Sequence, residues 1–122
     1  MQNRENGQPY DLEERTFLFA KRTRLFIKTI PRTLGNREDA KQLVRSSGSI
    51  GANYIEANDA LSSKDRVMRI KISRKEAKES IYWLRLLDVE PHCEERNALV
   101  QEAHELMSIL GSILRKLENP GS

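Results

Sequence analysis

The sequence predicts an all-α protein, an up-down-up-down antiparallel four-helix bundle, and three observations carry that prediction. Apolar residues recur at alternating steps of three and four through four successive stretches, the spacing of one helix face. The connections between these stretches are a few residues long, which makes sequential helices antiparallel neighbours. No alternating strand pattern competes with them. At 122 residues the chain is the length of one domain with one core. With 38% hydrophobic and 32% charged residues it has the make-up of a strongly charged globular protein rather than a disordered one.

Residues 1–10 read as a flexible leader, rich in Asn, Gly, Gln and Pro. Asp11 is an N-cap, and Glu13 and Glu14 oppose the positive end of the helix that follows. The first helix covers residues 11–30, with Leu12, Thr16, Phe19, Thr23, Phe26 and Ile30 as its inward seam, and Pro31 stops it. Asn36 is the expected N-cap of the second helix, residues 36–61, whose seam runs through Leu43, Ser47, Ile50, Tyr54, Ala57 and Leu61. The middle of this helix is unusual. Ser46, Ser47, Gly48, Ser49, Gly51 and Ala52 place small side chains where bulk is the rule. Each glycine costs a helix about 1 kcal/mol relative to alanine, so their presence points to a close helix crossing.

Ser62 or Ser63 caps the third helix, residues 63–87, with Val67, Ile70, Arg74, Ala77, Ile81 and Leu84 as its seam. Met68, Ile72, Trp83 and Leu86 lie off that seam; they either widen the core stripe or form a contact surface for another copy or a protein partner. The fourth helix, residues 91–118, opens at Pro91 and carries the most regular heptad, Leu99, Ala103, Leu106, Leu110, Ile113 and Leu117. Residues 119–122 form a tail.

The net charge is +3, and it is unevenly distributed. Residues 63–88 hold eight basic and four acidic side chains, whereas residues 89–122 hold three basic and six acidic ones. Lys64, Arg66, Arg69, Lys71, Lys75 and Lys78 are therefore candidate contacts to RNA or DNA, since phosphate neutralisation by Lys and Arg is the general source of such affinity. Two other readings remain open. The face is a solvated one with intrahelical pairs such as Lys75 with Glu79, or it meets the acidic fourth helix of a neighbouring copy head to tail.

Enzyme signatures are missing. Neither His92 nor His104 has the Glu three positions earlier that bundle di-iron sites use; Val89 and Gln101 stand there. Cys93 is the lone cysteine, too few for a structural zinc set, and the glycines near Gly48 lack a phosphate-loop lysine. No catalytic residue, metal or cofactor is expected. No apolar run approaches the roughly 18 residues of a membrane span, and the start lacks the apolar core of a signal peptide, so a cytoplasmic protein without a membrane partner is expected. A polar constellation stands out instead: Arg45, Asn53 and Glu56 on the second helix with Arg74 and Glu76 on the third. Arg74 on an apolar seam would require a carboxylate, and Glu56 is the one expected.

Several segments together resemble a known family. DLEERT from Asp11, QLVRSSGSIGANYIEA over residues 42–57 and KEAKESIYWLRLL over residues 75–87 are similar to the bacterial four-helix bundle proteins encoded in intervening sequences of 23S ribosomal RNA. The resemblance implies a homo-oligomer, a pentamer. A similar fold serves as the accessory protein of diversity-generating retroelements, which implies nucleic acid and a protein partner such as a reverse transcriptase. It carries over no catalytic residue.

Overall fold

The computed structural model describes residues 11–91 and 93–121, and the expected leader over residues 1–10 lies outside them. Asp11 caps α1 (Leu12–Ile27) by accepting the Glu13 amide at 3.0 Å. Thr16, Phe19, Thr23 and Phe26 form the buried seam of this helix. It ends three residues before the expected residue 30, because the Thr29 amide and hydroxyl both turn back onto the Phe26 carbonyl, at 2.9 and 2.7 Å. Ile30 is still buried beyond the helix end.

The start of α2 (Leu34–Asn58) corrects the expected cap. Thr33, not Asn36, caps it, accepting the Asn36 amide at 3.1 Å. The Asn36 side chain is buried and spent elsewhere: it donates to the Pro31 and Asp88 carbonyls at 2.9 and 2.8 Å and accepts the Asp88 amide at 2.9 Å. This ties the α1–α2 corner to the end of the third helix. The helix also stops short of residue 61. Leu61 is 101% exposed, so the seam closes at Ala57, whose carbonyl is taken by Arg66 Nε at 3.1 Å.

Ser62 caps α3 (Ser63–Leu86) by accepting the Asp65 amide at 3.1 Å. Its inward face is Ile70, Ser73, Glu76, Ala77, Ser80, Ile81 and Leu84, so Ser73 stands on the seam where Arg74 was expected. Arg74 is exposed. The last helix, α4 (Cys93–Glu118), begins two residues after Pro91, which lies in the preceding turn; across that turn the Cys93 thiol donates to Glu90 at 2.9 Å. Leu99, Ala103, Leu106 and Leu110 are its buried seam, as the heptad predicts.

Paired residues establish the direction of every helix. Between α2 and α3, Ser46 meets Ser80, Ile50 meets Ser73 and Asn53 meets Arg69, numbers rising on one helix as they fall on the other. The same inverse order joins α1 to α4 through Arg15–Glu102 and Arg22–Glu95, and α1 to α2 through Glu13–Asn58 and Arg24–Val44. Lys71–Glu118 and Leu84–Arg96 do so for α3 and α4. Each helix packs on its sequence neighbours, and α1 against α4 closes the ring, an up-down-up-down arrangement.

The small residues of α2 divide between two crossings. Toward α3, Ser46 and Ser80 share a hydrogen bond at 2.9 Å and Ser73 donates to the Ile50 carbonyl at 2.7 Å, all three hydroxyls being buried and satisfied. Toward α1, Gly51 lies so close that a Cβ there would stand 2.7 Å from Thr16 Oγ1. Gly48, Gly51 and Ala52 together line an open groove between α1 and α2.

Candidate functional site

An α-helix returns to the same face after three or four residues, and on α3 that rule gathers a cationic stripe. Lys64, Met68, Lys71, Lys75, Lys78, Tyr82 and Arg85 follow one another at such steps, and all are exposed. No carboxylate interrupts them. At about 1.5 Å per residue the stripe is roughly 30 Å long. Lys64, Lys75, Lys78 and Arg85 have no ion-pair partner among the described residues, and Lys71 holds Glu118 in an exposed pair at 3.4 Å.

Two of the six expected cations leave this face. Arg66 turns to the C-terminal end of α2 and donates to the Ala57 carbonyl, and Arg69 donates from Nη1 to Asn53 Oδ1 at 3.2 Å. Both are half-buried and belong to the α2–α3 seam. Tyr82 and Arg85 take their place on the stripe. The steps of four and three from Lys78 were the signal for them. The Tyr82 ring also stands edge-on to Trp83, with centroids 5.1 Å apart at 80°.

The expected pair of Glu56 with Arg74 does not form. Glu56 is exposed, and Arg74 reaches toward α4, where its Nε would lie 3.2 Å from a Cβ at Gly111. Arg45 instead spans Glu76 and Glu79, at 3.3 and 3.1 Å, which leaves Lys75 without the Glu79 pair. The cause is one of rotation: α3 turns Ser73 and Glu76 inward, and this carries Arg74 out to solvent.

Met68, Ile72, Trp83 and Leu86 do not make one patch. Met68 and Leu86 are exposed, Ile72 is half-buried and Trp83 packs against the core; the two ends of the set are roughly 16 Å or more apart along the helix. Apolar side chains are also exposed on α1, at Phe17, Leu18 and Leu25. Beside Phe17 lies the α1–α2 groove, about 340 Å³, walled by Phe17 and Ile55 over Gly48 and Ala52.

The acidic helix is largely neutralised within its own chain. Arg15 holds Glu102 and Glu105 at 2.7 Å each, Arg22 holds Glu95 at 3.4 Å and Lys71 holds Glu118. Gln101 first and Arg15 second, by donating hydrogen bonds, keep the Glu105 carboxyl below its ordinary value. A head-to-tail contact between α3 and the α4 of another copy would have to displace these pairs. The hydrogen bond to Glu90, with burial and the Glu90 charge adding to it, pushes the Cys93 thiol up. Among the described residues, no group of three His, Cys, Asp or Glu side chains is placed to hold a metal, and no helix is long and apolar enough to cross a membrane.

The sequence model described as 23S rRNA-intervening sequence protein matches residues 10–112, from the cap of α1 into the last third of α4. The chain belongs to that family. This 23S rRNA-intervening sequence family member is also similar to a crystal structure from Bacteroides thetaiotaomicron VPI-5482, a protein of unknown function from the S23 ribosomal protein family. The two are 31% identical with a TM-score of 0.72, over 85% of this chain and 98% of the other. No functionally curated protein matches this family member. The family match reaches past residue 87, so it takes in the part of α4 that the sequence motifs alone did not reach.

Proposed function

We propose that this 23S rRNA-intervening sequence family member is a non-enzymatic, cytoplasmic homo-oligomer that binds RNA or DNA. The single observation that carries the reading is the α3 stripe: Lys64, Lys71, Lys75, Lys78 and Arg85 on one exposed face, with no carboxylate of α3 at the stripe positions and only Lys71 meeting one, Glu118 of α4. A row of cations on a rigid helix displaces counterions from a phosphate backbone, and Tyr82 offers an aromatic face on which a base can stack. The reading assigns no catalytic role to the serines of the helix crossing. Ser46 and Ser80, the conspicuous hydroxyls of the helix crossing, are buried and bonded to each other, out of reach of a substrate.

Self-association is supported by a different surface. Phe17, Leu18 and Leu25 are 57%, 48% and 59% exposed on α1; Phe17 walls the groove floored by small residues, and Leu25 lies on the side of the helix toward Glu95 of α4. A second copy is the occupant that would remove this apolar surface from water. A pentamer is the stoichiometry the family resemblance implies.

Changing Lys71, Lys75 and Lys78 to Glu tests the nucleic-acid reading by fluorescence anisotropy with labelled RNA and labelled DNA, each single-stranded and duplex. Binding that weakens with salt in the wild type and is lost in the variant is expected. Salt-insensitive binding, or none, sinks the reading. Native mass spectrometry of the wild type and Phe17→Glu tests the assembly: a defined oligomer that dissociates in the variant is expected, and a wild-type monomer overturns it.

A further inference from the structure

The α3 stripe leaves a second basic feature unused. Where α1 hands over to α2, Lys28, Arg32, Arg37 and Lys41 line one open cleft of about 330 Å³, and no carboxylate lines it. All four side chains are exposed. Arg37 and Lys41 share a helix face through their spacing of four, while Lys28 and Arg32 flank the end of α1. Lys28, Arg32 and Arg37 have no ion-pair partner among the described residues; Lys41 has only the exposed Glu38 at 3.5 Å, a pair of little worth in water. Four like charges in one cleft repel each other, and an anion is what relieves that repulsion.

The floor of the cleft is apolar and stiff. Ile30 and Pro31 line it, and Asn36 ties them to the end of α3 by donating both amide protons, to the Pro31 and Asp88 carbonyls, and accepting the Asp88 amide. The backbone beneath the four cations is thus held in place before a ligand arrives. Both Asn36 amide protons are spent and its oxygen already accepts the Asp88 amide in a buried side chain, so it does not read a base edge, and no aromatic ring lines the cleft for stacking. What remains is charge. We infer that the α1–α2 corner is a second nucleic-acid contact, taking successive backbone phosphates without regard to sequence, an inference that rests on the nucleic-acid reading above.

The test compares two charge-reversed proteins, each against labelled single-stranded RNAs of different sequence over a range of salt. One carries Lys28→Glu, Arg32→Glu and Arg37→Glu, the other the α3 changes described above; circular dichroism checks that both keep their helices. The corner variant is expected to bind about tenfold or more weakly on every sequence, with a log-log salt slope smaller by at least about 2, the value for the loss of three phosphate contacts to a single strand. The neutral variant Lys28→Gln, Arg32→Gln, Arg37→Gln is expected to weaken binding in the same direction by less, which separates lost attraction from added repulsion. A corner variant with wild-type affinity and slope, while the α3 variant loses binding, overturns the corner site and leaves the nucleic-acid reading standing. A wild type that binds no RNA or DNA overturns both.

Discussion

The guanidinium of Arg45 reaches across the α2–α3 crossing to the carboxylate of Glu76, with nitrogen–oxygen distances of 3.3 and 3.4 Å. Glu76 is 6% exposed, so Arg45 is the partner that offsets its loss of hydration. Arg45 itself is half exposed and also holds Glu79, which makes it a rim residue reaching inward.

Removing Arg45 leaves a buried carboxylate without its cation, whereas removing Glu56 touches nothing. Arg45→Ala is expected to cost about 1–2 kcal/mol in urea unfolding, a figure kept low because water reaches the guanidinium. Glu56→Ala is expected to stay within about 0.5 kcal/mol of the wild type. The reverse order of the two would contradict the pairing seen here.

At Gly51, α2 lies close against Thr16 of α1. A methyl group there meets Thr16 Oγ1 at 2.7 Å and Thr16 Cβ at 3.1 Å, and Thr16 is β-branched and cannot swing aside cheaply. Overpacking of this kind costs about 1–3 kcal/mol, against a gain of up to about 1 kcal/mol in helix propensity. A net loss of about 1–2 kcal/mol is therefore expected for Gly51→Ala. Gly35→Ala is the matched control, since a Cβ at Gly35 meets nothing within 4 Å. Thermal melts should rank Gly35→Ala at or slightly above the wild type and Gly51→Ala below it; equal melting points would show that the crossing can open.

Acid should be felt at the α1–α4 seam. Glu105 has its carboxyl held below the ordinary value in the folded chain, by Gln101 and then Arg15. A depressed folded value means that its contribution is present above the unfolded carboxylate range and is lost as pH falls through the folded value. The wild type is expected to lose melting temperature on acidification more steeply than Glu105→Gln, which has no proton to gain. Parallel pH profiles for the two proteins would remove Glu105 from the stability of this seam.

The apolar seams of α1 and α4 were legible because they are made of residues that have only one good place to be. Phe19, Phe26, Leu99 and Leu106 announce their face by spacing alone. The inner face of α3 was legible in its apolar part, Ile70, Ala77, Ile81 and Leu84, but not in Ser73 and Ser80, which look like surface residues in isolation. They are buried because they find the Ile50 carbonyl and Ser46 on the facing helix. The same limit explains the α2 cap. Thr33 and Asn36 are both good capping residues, and what assigns the role to Thr33 is that Asn36 is claimed by Asp88, 52 positions away. The stripe on α3 lay between these cases: Lys71, Lys75 and Lys78 were readable from charge and spacing, but that Arg66 and Arg69 turn inward depends on acceptors supplied by α2.

By itself, then, the sequence determined four amphipathic helices, two of their caps, their antiparallel order and a surplus of positive charge on the third. These are local properties, written in the spacing of each helix and the shortness of the turns between them. Tertiary structure decided which polar groups are buried, which carboxylate Arg45 meets, how four cations from two elements come to line one cleft, and how the acidic helix is neutralised by α1 and α3. Those outcomes depend on the rotation and register of one helix against the next, and the periodicity of a single helix does not encode either.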